Sequence, residues 1–443
     1  MSTDQFDRAP SFWQRFLNFC HRRGEKKWAK LVAKALTTDD LWRLMERRVP
    51  RIVNEYFRGG ADDEISLRDS VDAFRQARMT AWGAIKHDSL DLRTSVVGHE
   101  LAVPWFTCPV GSLCSLWPKA DAVVAKVAGE FGTVMSLSTL SGTPMEEVTA
   151  ASSGKCWFQL YLCGGKEVAL RGIARAKKAG FTGLILTIDT RVAGNRAVHA
   201  RMEPMEASKA FTGLSFGART ELLHRKLSLG PQMLPRLSWL LSHWADGGLM
   251  KFVNVQMDEQ CTPMPYTDIG KQLSSSAVTW ADIPWIKEAW GDGPLIIKGV
   301  HNAEDAMCAA DNGAAGVIFS IHGGRQSDRV PPPIHIVEDE MPKVLASHPN
   351  LHCMMDGGVR RGWDILYALT FGIKAVGLGR VTAAGIGAGG YAGMRRAFEI
   401  VNTEFRRQMD LIGVSSIKEI QENGAEIRRQ NRMLTNRHSE YVF

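Results

Sequence analysis

From about residue 100 onward, short and continuously apolar runs take turns with longer stretches of helical spacing. The runs are LAVPWFTCPV (101–110), TVMSLS (133–138), WFQLYLC (157–163), TGLILTID (182–189), PLIIKGV (294–300), AGVIFS (315–320), LHCMMD (351–356) and KAVGLG (374–379). Apolar and polar positions do not alternate in them, so they read as strands buried on both faces, as in a parallel sheet. The segments between, such as KEVALRGIARAKKAG (166–180) and NAEDAMCAADNGA (302–314), close on glycine as helix C-termini tend to. This order predicts an α/β fold, a (β/α)8 TIM barrel. A doubly wound sheet is disfavoured, because no run leads into G-x-G-x-x-G at the start of a helix. GIGAGG (385–390) lacks that spacing and reads as a loose loop.

Two segments depart from the rhythm. Residues 203–275 form a long insertion after strand 4, expected to be partly helical and to act as a lid or a surface-docking excursion. Residues 11–22 place Phe12, Trp13, Phe16, Leu17 and Cys20 on one helical stripe, with Gln14, Arg15, Asn18, His21 and Arg22 opposite. Such a basic amphipathic helix packs on the main domain or lies on a membrane surface. The expected organisation is a basic helical N-terminal extension (1–49), a barrel (50–420) and a basic tail (421–443).

Composition narrows the class. The chain has 443 residues, 45% hydrophobic and 23% charged, an ordinary globular balance. Of the net charge of +7, residues 1–48 contribute five and residues 424–443 two, so the body is neutral overall. A nucleic-acid-binding body is therefore not expected, since phosphate binding needs a basic face on the folded domain. The eight cysteines form no C-x-x-C pair, which disfavours a zinc ribbon; no metal site is expected and a reducing compartment is. MSTDQFDRAP has no apolar signal core, and no run reaches the roughly 18 apolar residues of a spanning helix. The expectation is a cytoplasmic protein, with peripheral contact at the inner face of a membrane left open.

In α/β barrels the chemistry sits at the C-terminal ends of the strands. Those ends carry Ser138, then Gln159 and Tyr161, then Thr187, Asp189 and Arg196, then Lys298. The later strands deliver Ser320, His322 and Arg325, then Asp356, Gly358 and Arg360, then Gly379 and Arg380. Polar residues on so many consecutive strand ends are hard to explain as packing. DGGVRRG (356–362) and GLGR (377–380) pair glycine-lined backbone with arginine, a combination suited to phosphate. HGGR (322–325) offers an imidazole base with Asp189 as its acidic partner, and Arg325 and Arg196 suit a carboxylate. Together they describe oxidation or proton abstraction beside a carboxylate, helped by a phosphate-bearing cofactor.

WFQLY (157–161), LTIDT (186–190), IIKGV (296–300), SIHGGRQSD (320–328), DGGVRRG and GLGR, with YFRGGADDE (56–64), resemble the FMN-dependent L-α-hydroxy acid oxidases and dehydrogenases. That family includes glycolate and lactate oxidases and L-lactate and mandelate dehydrogenases. The resemblance runs from about residue 50 to residue 420. It implies FMN as cofactor, His322 as base and Asp189 as its partner. It implies substrate contacts from Arg325, Arg196, Tyr56 and Tyr161. Ser138, Gln159, Thr187 and Lys298 would contact the flavin ring, with Val110 and Gly111 lining it. Lys298 would sit near the pyrimidine end and favour the anionic reduced form. Ser320 belongs to the same cofactor-facing set, and Asp356, Gly358, Arg360, Gly379 and Arg380 would hold the ribityl chain and phosphate.

The substrate implied is a small L-2-hydroxy acid, L-lactate or a larger one. The resemblance leaves the electron acceptor open among oxygen, a quinone and a cytochrome, and implies a homo-oligomer. Four positions depart from the family pattern: Ile321 replaces a usual Asn, Arg191 a Pro, Ala197 a Glu and Leu140 a frequent Trp. Leu140 and Ile321 imply a roomier or more apolar pocket. The segment LGPQMLPRLSWLLSHW (229–244) resembles the insertion that supports membrane attachment in mandelate dehydrogenases, and reads as a lid helix or a docking surface. Two other readings stay open: an FMN-barrel isomerase, and a flavin-binding protein without redox activity.

Overall fold

The computed structural model describes residues 25–196, 236–246, 248, 250–265, 268–274 and 277–428. The expected helix over 11–22, the greater part of the insertion before residue 236, and the end of the basic tail lie outside the described residues.

Each of the eight apolar runs supplies one strand of a closed parallel barrel. The strands are β1 (Trp105–Thr107), β2 (Met135–Ser138), β3 (Cys156–Leu160), β4 (Gly183–Thr187), β5 (Leu295–Val300), β6 (Gly316–Phe319), β7 (His352–Asp356) and β8 (Val376–Leu378). They pair in chain order, and β8 returns to β1. Their residues are buried almost throughout, which is why the runs show no polar alternation. Register matters for the site. Ser138 pairs with Gln159, Thr187 with Lys298, and Asp356 with Gly377, so polar residues meet at one level of the C-terminal rim.

Among the described residues, α1 (Thr38–Arg48), α2 (Arg51–Arg58) and α3 (Ile65–Gln76) precede the barrel. Around it run α4 (Ala120–Glu130), α5 (Met145–Ala151) and α6 (Lys166–Lys178), then α7 (Leu237–Ala245) of the insertion. They are followed by α8 (Ile283–Trp290), α9 (Ala303–Asp311), α10 (Pro333–Ser347), α11 (Gly362–Leu369) and α12 (Arg380–Ile412). The N-terminal end of the barrel is stoppered by an antiparallel hairpin, Thr94–Val96 against His99–Leu101. Val96 and Leu101 pack there on Phe106, Trp157, Ile185 and Met354. The indole N–H of Trp157 donates to His99 Nδ1 at 3.1 Å.

GIGAGG is not a loose loop. It lies inside α12, which leaves helical geometry only at Gly389 and Gly390. The glycines serve close packing. A Cβ on Gly387 would run into the Met45 side chain of α1, and one on Gly390 into the Trp117 ring.

The described part of the insertion is built onto the barrel rim. In α7, Trp239 donates from its indole to Ser115 O at 2.9 Å, and His243 Nε2 lies 2.8 Å from Cys114 O. Arg236 donates to Val49 O and Glu46 O. A short antiparallel pair, Phe252–Gln256 with Pro263–Met264, and a turn of helix, Ile269–Ser274, complete it. Asn254 is buried; it accepts from Met145 N at 3.0 Å and donates to Thr143 O at 2.9 Å. The outer face of α7 leaves Leu237, Leu240 and Trp244 exposed, Trp244 to 62%. Among the described residues no helix is long and apolar enough to cross a membrane.

Candidate functional site

One cavity of about 430 Å³ opens among the C-terminal ends of the strands. Of the residues singled out from sequence, Tyr56, Val110, Gly111, Ser138, Tyr161, Arg196, Lys298, His322, Arg325, Asp356, Gly358, Arg360, Gly379 and Arg380 line it. Gln159, Thr187, Asp189 and Ser320 are not on its surface; they hold the lining groups from behind. Gln159 accepts from Ser138 Oγ at 3.2 Å and donates to Thr187 Oγ1 at 3.0 Å. Ser320 donates to Asp356 at 2.6 Å, accepts from Lys298 Nζ at 2.8 Å, and also accepts from the His322 backbone N–H at 3.1 Å.

The loop after β6 aims the imidazole. His322 has φ 55°, and Gly323 and Gly324 continue in the left-handed region with φ 64° and 71°. For a non-glycine residue that backbone is strained, and surrounding contacts must hold it. His322 Nδ1 lies 2.9 Å from Asp189 Oδ1, and Thr190 Oγ1 donates to the same oxygen at 2.9 Å. The carboxylate fixes the tautomer with the proton on Nδ1. Nε2 is then an acceptor, 3.4 Å from the Tyr161 hydroxyl. Burial pushes the imidazole below its ordinary value, and Asp189 only partly restores it. Burial alone would raise Asp189, but the imidazole and Lys298 hold it well below the usual carboxylate range. An ionised carboxylate behind a neutral imidazole is a base with a free lone pair facing the cavity.

A cationic wall stands close by. The Arg325 guanidinium lies 4.9 Å from the centre of the Tyr56 ring, and that of Arg196 5.7 Å. Arg325 donates to the carbonyls of Tyr56 and Gly59, at 2.5 Å and 2.9 Å, which neutralise no charge. Arg196 Nε is buried without a hydrogen-bond partner. Burial and the neighbouring Arg196 push Arg325 down to about 10. Burial would raise the Tyr56 hydroxyl, but the two guanidiniums bring it below its ordinary value. Two crowded cations and a phenol favour a bound carboxylate.

Toward β7 and β8 the cavity changes character. Lys298 Nζ is 3.4 Å from Asp356 Oδ2, both side chains being nearly fully buried. Burial would lower this ammonium, yet Asp356 and Asp189 raise it further. Beyond it, burial pushes the guanidiniums of Arg360 and Arg380 down, and for Arg380 the charge of Arg360 adds to the effect. The side-chain partner of Arg360 is the Val359 carbonyl. Arg380 donates to the carbonyls of Phe57, Gly59 and Gly323, and so also ties the Tyr56 segment to the His322 loop. The N-terminus of α12 begins at Arg380 itself. Gly358 has φ 77°, and a Cβ there would collide with the Ser70 carbonyl. Two poorly neutralised guanidiniums, a helix N-terminus and tight glycine backbone suit the phosphate of FMN, and the buried Lys298 suits an electron-rich ring.

Some lining residues carry no sequence signal strong enough to pick them out. The Ser112 hydroxyl hydrogen-bonds Tyr56. Cys108 Sγ lies 3.5 Å from Asp356 Oδ2, and Thr190 Oγ1 lies 3.4 Å from His322 Nδ1. Phe252, Ile269 and Leu273 reach the cavity from the insertion. Ser112 follows directly on PVG and Thr190 closes LTIDT, so adjacency to those motifs was the available hint.

Residues 45–426 match the family model described as FMN-dependent dehydrogenase. Glycolate oxidase 1 of Zea mays is 30% identical over 381 residues, covering 85% of this chain and 92% of the relative. A 2-hydroxyacid oxidase of Dictyostelium discoideum is 28% identical over 400 residues, covering 90% and 92%. The crystal structure of a monotopic membrane protein, (S)-mandelate dehydrogenase, superposes with a TM-score of 0.75 at 28% identity, covering 88% of this chain and 98% of that one.

Proposed function

The chain belongs to the FMN-dependent dehydrogenases, and from that premise we propose that it oxidises an L-2-hydroxy acid to the 2-oxo acid. The observation that carries this reading is one cavity with three unlike ends. It holds a half-buried imidazole on a buried carboxylate, a pair of guanidiniums beside Tyr56, and a glycine-lined pocket with Arg360 and Arg380.

Bound FMN supplies the electron sink, and the protein supplies orientation and electrostatics. Arg325 and Arg196 bind the substrate carboxylate, while the Tyr56 and Tyr161 hydroxyls orient it. This sets C2 and its hydroxyl against His322 Nε2. His322 takes one proton: the hydroxyl proton if the C2 hydrogen leaves with its electron pair, or the C2 proton if the pair stays behind. Either way the substrate loses two electrons and two protons in total. Asp189 keeps the imidazole oriented and stabilises the imidazolium that forms. Lys298, held by Ser320 and Asp356, would offer a buried positive charge to the ring. Ser138, backed by Gln159 and Thr187, would face the ring together with Val110 and Gly111. Asp356, Gly358, Arg360, Gly379 and Arg380 receive the ribityl phosphate.

The same reading includes a peripheral membrane contact through the outer face of α7, supported by exposed Leu237, Leu240 and Trp244. The test of function is direct. The FMN-loaded protein, mixed anaerobically with a panel of L-2-hydroxy acids, is expected to lose its yellow absorbance and to release one 2-oxo acid per flavin. Full retention of colour with every acid would remove the reading. Reoxidation by oxygen, a quinone or cytochrome c then identifies the acceptor.

A further inference from the structure

We infer that the substrate carries a bulky apolar group on C2, seated against Leu140, Phe252, Ile269 and Leu273. This rests on the hydroxy acid reading and specifies it.

The cavity has two unlike walls. Tyr56, Arg196, Arg325 and His322 are its charged and polar lining, and Leu140, Phe252, Ile269 and Leu273, which gather in one apolar cluster, are the other. Tyr161 joins them. Its ring packs with Leu140, Phe252 and Leu273 in one apolar cluster, while its hydroxyl faces His322 Nε2 at 3.4 Å. C2 of a 2-hydroxy acid bears four substituents. Its carboxylate goes to the guanidiniums, and its hydroxyl and hydrogen go to the reacting groups. The fourth substituent is left with the wall beyond Tyr161. Among the described residues, those four side chains offer it no charge and no amide.

That wall is held by the fold itself. Phe252 is fully buried, and Leu140 and Leu273 are 7% and 8% exposed. The strand carrying Phe252 is pinned through Asn254, which bridges Met145 N and Thr143 O. Met250 lies over Gly142, where a Cβ would come 2.5 Å from Met250 Cγ. Three of the four wall residues come from the insertion, so the insertion selects the side chain while the barrel performs the chemistry. Glycolate, with hydrogen in this position, would leave the wall against water. Each methylene buried there is worth about fourfold in transition-state binding.

The experiment uses the FMN-loaded enzyme with glycolate, L-lactate, L-2-hydroxyisocaproate and L-3-phenyllactate. kcat/KM is expected to rise on the order of a hundredfold from glycolate to the larger acids. Unreactive straight-chain carboxylates, measured by calorimetry, are expected to bind about fourfold tighter per methylene. Ile269→Asp is expected to reduce the preference for L-2-hydroxyisocaproate over glycolate at least tenfold. Equal turnover of glycolate and the larger acids, or a preference untouched by Ile269→Asp, would overturn the wall and leave the oxidation reading standing. If no 2-hydroxy acid bleaches a protein that holds FMN, the oxidation reading itself falls, and the wall with it.

Discussion

At the scale of single residues, the behaviour of His322 follows from where its charge is allowed. It must be neutral to accept a proton, and burial holds its pKa below the ordinary imidazole value of about 6.5. The neutral base therefore persists as pH falls through 6.5 and is lost only below it. The acid limb of kcat/KM, which reports the free enzyme, is expected below pH 6.5; a limb above it would contradict this placement. Asp189 opposes the depression, so Asp189→Asn is expected to move the limb further down. The same change should lower the rate of anaerobic bleaching by about two to four orders of magnitude, through loss of the tautomer. Much of this constellation was legible because a polar residue ending a buried run has few structural excuses. Lys298 and Asp356 announced themselves in that way. Ser112 and Thr190 did not, because a hydroxyl in a loop is ordinary until its neighbours are known. Phe252, Ile269 and Leu273 reach the cavity only through docking contacts such as those of Trp239 and Asn254, which no local pattern encodes.

At the scale of elements, the eight strands could be read because burial on both faces removes polar residues from them. The hairpin at Thr94–Leu101 could not, being three-residue strands with mixed exposure. GIGAGG misled for a physical reason: glycine loosens a chain, but it also lets one helix approach another. Gly390 shows the second use, with φ 56° and the Trp117 ring where a side chain would stand. Gly390→Ala is expected to cost about 2–3 kcal/mol, seen as a lower urea midpoint at unchanged slope. Gly83, which has open space around its Cα, is the control: Gly83→Ala should stay within about 0.5 kcal/mol.

At the scale of the whole molecule, the net charge is carried by the chain ends, yet a second concentration of charge lies inside. Arg196, Arg325, Lys298, Arg360 and Arg380 surround one cavity. Lys298 already has Asp356 beside it, but the buried charges of Arg325, Arg360 and Arg380 oppose folding until an anion joins them. FMN at a hundred times its Kd is expected to add about 2.7 kcal/mol and raise Tm by several degrees. Riboflavin, without the phosphate, should raise it far less; equal shifts would argue against Arg360 and Arg380 as the phosphate site. The hairpin beneath the barrel adds a constraint on traffic. Among the described residues, Val96 and Leu101 fill the floor of the barrel, and the cavity lies among the opposite, C-terminal ends of the strands. On the hydroxy acid reading, both half-reactions would then be served from that one side of the barrel.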